Sequence, residues 1–200
     1  MIKEQESNTR KALHKVMDSY YKLSNDTWQS ISNISTFLTV EKNDYLCRSN
    51  EFQTGFYFVG YGLFRVFIVD EKGHEYNKIF FEEHSFPGSM VSLLKNEPSN
   101  FEIQALENSS VLHIDFKKYR ELLLKTEDLK LFHIFYLEKN WLIDKSSREV
   151  SLVQDDAQDR YLEFLEKYPQ LSTRLTQYHI ASHLGITPTQ LSRIRKNILS

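Results

Sequence analysis

The polar residues Thr189, Gln190, Ser192, Arg193, Arg195, Lys196 and Asn197 alternate with the apolar Leu191 and Ile194 in a stretch that opens Thr187-Pro188. Threonine is a good helix N-cap and proline suits the first helical position, so the spacing predicts a helix over residues 187–198 with one polar face. Such a face can hydrogen-bond base edges in a DNA major groove, where the first turns of a recognition helix reach. Arg193 has the fork that reads guanine bidentately, and Thr189 and Gln190 can contact bases or phosphates. Thr176, Thr187, Arg195 and Lys196 suit phosphate oxygens, where they set register without reading sequence. The competing reading of Arg193 is a solvated surface arginine.

Other chemistry is poorly supported. His74 and Glu75 are adjacent, with Glu82, Glu83 and His84 following, but neighbouring strand residues face opposite sides and no His-x-His pair exists, so no metal site is expected. Cys47 stands alone, which excludes an internal disulfide, a four-thiolate zinc site and a cysteine-held iron–sulfur cluster, and favours a reducing, cytoplasmic setting. A Gly-rich phosphate loop, a Gly-x-Ser-x-Gly elbow and a His-Glu-x-x-His stretch are all missing, so the reading is not an enzyme and needs no cofactor.

A recognition helix must be held by a partner. Ile180, Ala181, Leu184, Gly185, Ile186, Leu191 and Ile194 have the offsets of a helix-turn-helix. Ala181 is small where the helices cross, and Gly185 falls where the turn needs positive φ. Four of the 25 basic residues and none of the 27 acidic ones fall within residues 171–200, giving this end +4 and the rest −6. The near-neutral total of −2 therefore hides a basic head on an acidic body. An ordinary helical hairpin is the alternative.

Upstream, Leu13, Val16, Met17, Tyr20 and Tyr21 recur at helical spacing, and a second short helix follows the Ser24-Asn25-Asp26 break through Trp28, Ile31 and Ile34. Between Thr36 and Asp115 the texture turns to short runs rich in β-branched and aromatic residues: Thr36 to Val40, Phe56 to Val59, Phe64 to Val69, Asn77 to Phe81, Phe101 to Leu106 and Val111 to Ile114. Turn residues separate them, and nothing between them could serve as a crossover helix, so an antiparallel β-domain is expected. Phe116 to Lys125 reads as a short helix. Leu129, Leu131, Phe132, Ile134, Phe135, Leu137, Trp141, Leu142 and Ile143 then make a helix apolar over a wide arc, and the pattern fades at Asp144 to Glu149. Such a helix needs cover on two sides, either from the β-domain and a second copy of itself or from burial within one chain. Gln154-Asp155-Asp156 offers a hinge and an N-cap for the next helix, and Pro169 stops it. No run reaches the roughly 18–20 apolar residues of a membrane span.

In this order and at this length, the elements resemble the bacterial Crp/Fnr transcription regulators. The likeness is strongest from Arg160-Tyr161-Leu162 to Lys196, and Gly185-Ile186-Thr187-Pro188-Thr189-Gln190-Leu191-Ser192-Arg193-Ile194-Arg195-Lys196 is similar to the form common in Bacteroidetes members. The resemblance implies an α+β protein. A helical segment at 1–34 leads into a jelly-roll-like, cyclic nucleotide-binding-like β-roll at 35–125. A dimerisation helix at 126–153 and a winged-helix/helix-turn-helix domain at 154–200 follow. It also implies a homodimer on a palindromic DNA operator, an unidentified small-molecule effector and RNA polymerase as a further partner, with no membrane.

The departures concern the effector. Cyclic-AMP-responsive members carry a Phe-x-Gly-Glu-Leu motif and a later Arg followed by a small polar residue, for the ribose hydroxyl and the cyclic phosphate. This chain has Phe86-Pro87-Gly88-Ser89-Met90 and Ser99-Asn100. Both charged groups are missing, so cyclic AMP is expected to bind weakly or not at all. Gly88, Ser89, Met90, Ser99 and Asn100 then line either a pocket for a less anionic effector or a vestigial one. A small-molecule or protein-interaction module whose helix-turn-helix has lost DNA affinity is the alternative function.

Overall fold

The computed structural model describes residues 2–143 and 156–199. Helix α1 (Ile2–Tyr20) sets Leu13 and Met17 one turn apart on a buried face. The Ser24 hydroxyl caps α2 (Asn25–Asn33), accepting from the Thr27 N–H at 3.2 Å. The strands are β1 (Ser35–Val40), β2 (Tyr45–Cys47), β3 (Gly55–Tyr61), β4 (Phe64–Val69), β5 (Glu75–Phe81), β6 (Glu102–Ala105) and β7 (Ser109–Asp115), with a short α3 (Met90–Lys95) between β5 and β6.

The strands form two sheets, ordered β1-β7-β3 and β2-β6-β4-β5, in which every pair is antiparallel. Val59 and Val111 from the first sheet meet Cys47, Phe64, Val66, Ile103 and Ala105 from the second in the space between them. The outer face of the three-stranded sheet, through Phe56, Phe58, Leu112 and Ile114, packs on α1 and α2 and on α4 (Phe116–Lys125) and α5 (Glu127–Leu137). All six expected strands are present with ends shifted by a residue or two. The sequence reading missed β2 and α3, which at three and six residues are too short to show a period.

The helix expected over residues 126–153 is described only as far as Ile143, and its last part is less regular. After α5 the backbone passes into a π-helical turn, Glu138–Ile143, and the remainder lies outside the described residues. Its wide apolar arc is divided. Leu129 and Phe132 are buried against the β-domain and Leu131 is half-buried, whereas Ile134 and Phe135 are 47% and 41% exposed, and Trp141 and Leu142 are exposed too. Among the described residues, the helix is therefore not fully buried within one chain.

The Asp156 carboxylate caps α6 (Ala157–Lys167), accepting from the N–H groups of Gln158 and Asp159 at 2.7 and 3.0 Å. Then come α7 (Leu171–Arg174), α8 (Gln177–Leu184) and α9 (Pro188–Leu199). Among the described residues this end is helical only. Among them, too, no helix is long and apolar enough to cross a membrane.

Candidate nucleic-acid interface and nucleotide cassette

Helices α8 and α9 pack through buried Ile180, Ala181, Leu184 and Leu191, with Ile186 and Ile194 at the edge of the same core. Gly185 closes α8 at φ +69°, the left-handed conformation that glycine alone adopts without steric cost. The Ile186 N–H then returns to the Ala181 carbonyl at 3.0 Å. At the start of α9, Thr187 and Gln190 form a reciprocal capping box. The Gln190 N–H donates to the Thr187 hydroxyl at 3.2 Å, and the Gln190 side-chain oxygen accepts from the Thr187 N–H at 2.9 Å and from its hydroxyl at 3.1 Å.

The expected DNA contacts therefore divide. Thr189, Arg193 and Lys196 lie on one exposed face of α9 together with Ser192. Gln190 is exposed but its oxygen is engaged locally, and Thr187 acts as a cap. Thr176 is the cap of α8, accepting from the His179 N–H at 3.3 Å. Arg195 is half-buried, with its Nε donating to the Tyr161 hydroxyl at 3.0 Å and its guanidinium 5.5 Å from that ring.

Arg174 behaves unlike a groove cation. Its guanidinium donates to both carboxylate oxygens of Glu83, at 2.8 and 3.0 Å, and to both of Glu107, at 2.7 and 3.0 Å. Those bonds hold its proton more firmly than in an ordinary arginine. Burial would raise the Glu83 carboxyl, but Arg174 and the Gly62 N–H outweigh it and hold it below the usual range. Nearby, the Asn77 N–H donates to Ser182 Oγ at 3.0 Å, the Ser182 hydroxyl donates to the Glu75 carbonyl at 2.8 Å, and Asn77 Nδ2 donates to the His179 carbonyl at 3.1 Å. Leu63 and Phe80 extend the helical core into the β-domain. Sequence reasoning found none of these docking residues. They meet across 67 to 107 positions of chain, which leaves no local pattern.

In the cassette, the Pro87 and Ser85 carbonyls accept from the N–H groups of Tyr57 and Val59 on β3, at 2.8 and 3.0 Å. Gly88 follows so closely that a Cβ there would lie 2.7 Å from the Phe56 Cβ. Ser89 and Ser99 are each 2% exposed, and the Ser99 hydroxyl donates to Ser89 Oγ at 3.1 Å. Ser99 Oγ also lies 2.9 Å from the Phe101 carbonyl, and burial pushes the neighbouring Cys47 thiol up. The Ser92 hydroxyl bonds the Glu97 carbonyl, closing α3, and Asn100 is exposed. Met90 and Gly88 thus separate from the serines. Met90 lines a small apolar cavity beneath α5. Gly88 borders one of about 780 Å³, shared with Lys78, Phe101, Tyr136 and the α6 side of the helical end.

His74 is exposed and pairs with Asp70, 3.0 Å away. Among the described residues no group of three or more His, Cys, Asp or Glu is placed to hold a metal ion.

Residues 37–126 match the family model described as the cyclic nucleotide-binding domain. No curated protein matches the sequence. Solved structures match most of the chain at low identity. The c-di-GMP-responsive global regulator CLP of Xanthomonas campestris is 14% identical, with TM-score 0.68 over 88% of this chain and 92% of its own. A CooA mutant of Carboxydothermus hydrogenoformans is 19% identical, with TM-score 0.69 over 92% and 83%. A crp/fnr-family regulator of Eubacterium rectale is 18% identical, with TM-score 0.62 over 88% and 84%. Residues 37–126 are therefore similar to the cyclic nucleotide-binding domain, and from its β-roll to its C-terminal helices the chain has the fold of the Crp/Fnr regulators.

Proposed function

We propose that this chain is a DNA-binding transcription regulator that works as a homodimer on a palindromic operator, reading bases through Arg193 and Thr189. The observation that carries this reading is the exposed face of α9. Thr189, Ser192, Arg193 and Lys196 stand together on a helix capped at its start and pinned beneath by Leu191, in a segment with no acidic side chain. The uncovered side of α5 and of the turn after it, through Ile134, Phe135, Trp141 and Leu142, supplies the surface for the second copy. RNA polymerase is the further partner such a regulator addresses. The hydrogen bond that engages Ser89 and Ser99 with each other supports a cassette that does not take cyclic AMP.

The test is a gel shift on genomic fragments with the wild type and Arg193→Ala. A salt-sensitive, sequence-selective shift that Arg193→Ala weakens and makes less selective is expected. A wild type that gives no such shift overturns the regulator reading and leaves an interaction module.

A further inference from the structure

Away from the cassette serines, an apolar cavity of about 160 Å³ lies between the outer face of the three-stranded sheet and the helices. Phe56 and Ile114, paired across β3 and β7, form its floor. Met17 and Ile31 close one end, and Phe86, Phe132 and Tyr136 form an aromatic wall, with Phe86 and Tyr136 edge to face at 5.2 Å. Neither Ser89 nor Ser99 lines it.

Its size and lining select an occupant. Apolar cavities of about 150 Å³ stay dry and accept benzene, so this one has room for a single six-membered ring. Aromatic walls favour an aromatic ring through edge and offset contacts. The polar groups leave one handle. Tyr119 Oη and His133 Nδ1 lie 3.1 Å apart and satisfy each other, while burial keeps His133 neutral more firmly than usual and pushes the Tyr119 hydroxyl up. Arg120 lines the same cavity, is exposed, and has no carboxylate partner among the described residues. A guanidinium at the edge of a ring-sized apolar hole complements a carboxylate carried on that ring, because Arg–carboxylate pairs are charge-assisted and bidentate.

We infer that this cavity is a binding site for a small aromatic monocarboxylate, with its ring among Phe56, Phe86, Phe132 and Tyr136 and its carboxylate on Arg120. The occupant touches α5 directly. It stands on Phe132 and Tyr136 while Ile134 and Phe135 of the same helix remain exposed.

Calorimetry on the full chain tests the site with phenylacetate as probe, phenylacetamide as its neutral isostere and acetate as the headgroup alone. Phenylacetate is expected to bind one per chain with a dissociation constant of about 1 mM or below. Acetate should give no saturable heat. Arg120→Gln should weaken phenylacetate about tenfold while changing phenylacetamide by no more than about twofold. Leu94→Trp, a substitution at an exposed residue of the cavity lining, should weaken both ring compounds without disturbing the fold. The assignment is overturned if phenylacetate gives no saturable heat, if acetate binds as well, or if binding survives both substitutions unchanged.

Discussion

Arg174 and Glu83 face each other as two parallel forks, Nη1 to Oε2 at 2.8 Å and Nη2 to Oε1 at 3.0 Å, joining the start of the helix-turn-helix to the turn after β5. The Arg174 side chain is 23% exposed, so the pair is partly shielded from water. Replacing it with alanine leaves Glu83 and Glu107 as neighbouring uncompensated carboxylates. Arg174→Ala should cost about 1–2 kcal/mol, after discounting for the remaining exposure. In a chain of this size that lowers the thermal midpoint by roughly 2–8 °C, readable by circular dichroism.

The same pairing divides the basic residues by role. Lys196→Ala should reduce the salt dependence of DNA binding by about one phosphate contact, whereas Arg174→Ala should leave that slope unchanged, because its charge is already neutralised within the protein. Fluorescence anisotropy over a salt series separates the two. Equal slopes for both variants would place Arg174 on the DNA.

The helix-turn-helix was the most legible part of the sequence because its signals are local. Gly185, Thr187 and Pro188 act within one turn of themselves, and each takes the role its chemistry predicts. Locality also explains why some roles stay undivided in the sequence. Thr176, Thr187 and Gln190 look alike whether they meet a phosphate or cap a helix, and only the folded geometry engages them in caps. Arg174 reads as head charge until Glu83 and Glu107 arrive from distant turns. Similarly, Ser89 and Ser99 read as open ligand groups until the fold brings their hydroxyls together.

Capping energies follow directly. Thr187→Ala removes the acceptor for the Gln190 N–H and half of the reciprocal box, and should destabilise by about 1 kcal/mol. Gly185→Ala meets no atom within 4 Å, so its cost is the positive φ alone, again about 1 kcal/mol. Urea unfolding of the two variants should give similar midpoints, both below the wild type.

Stability should fall in mild acid. Burial pulls His113, His133 and His179 below the reference value of 6.5, helped at His133 by the Arg120 charge and at His179 by Arg65, and opposed at His113 by Asp115. The folded chain therefore binds fewer protons than the unfolded one just under that value. Stability is full above about pH 6.5 and declines as pH drops through the window down to the depressed folded values. Unfolding at pH 7.5 and 5.5 measures this, and His179→Asn should flatten part of the slope.

Association through α5 is tested at its exposed centre. Phe135→Asp should yield a monomer in size-exclusion chromatography with light scattering, at a thermal midpoint close to that of the isolated wild-type chain, since Phe135 is 41% exposed. A dimer that persists would move the interface elsewhere.

Strand β5 lies at the end of the order β2-β6-β4-β5, and Ser182 from α8 receives its Asn77 N–H. The helix-turn-helix thus shields an open sheet margin of the β-domain. A β-domain cut free of residues 156–199 would present a bare row of amides and carbonyls, the template on which strands of separate molecules zip together. A truncated fragment should therefore precipitate or form sheet-rich aggregates where the full chain stays dispersed. Any event that lifts the helices off β5 would carry the same hazard in the intact protein.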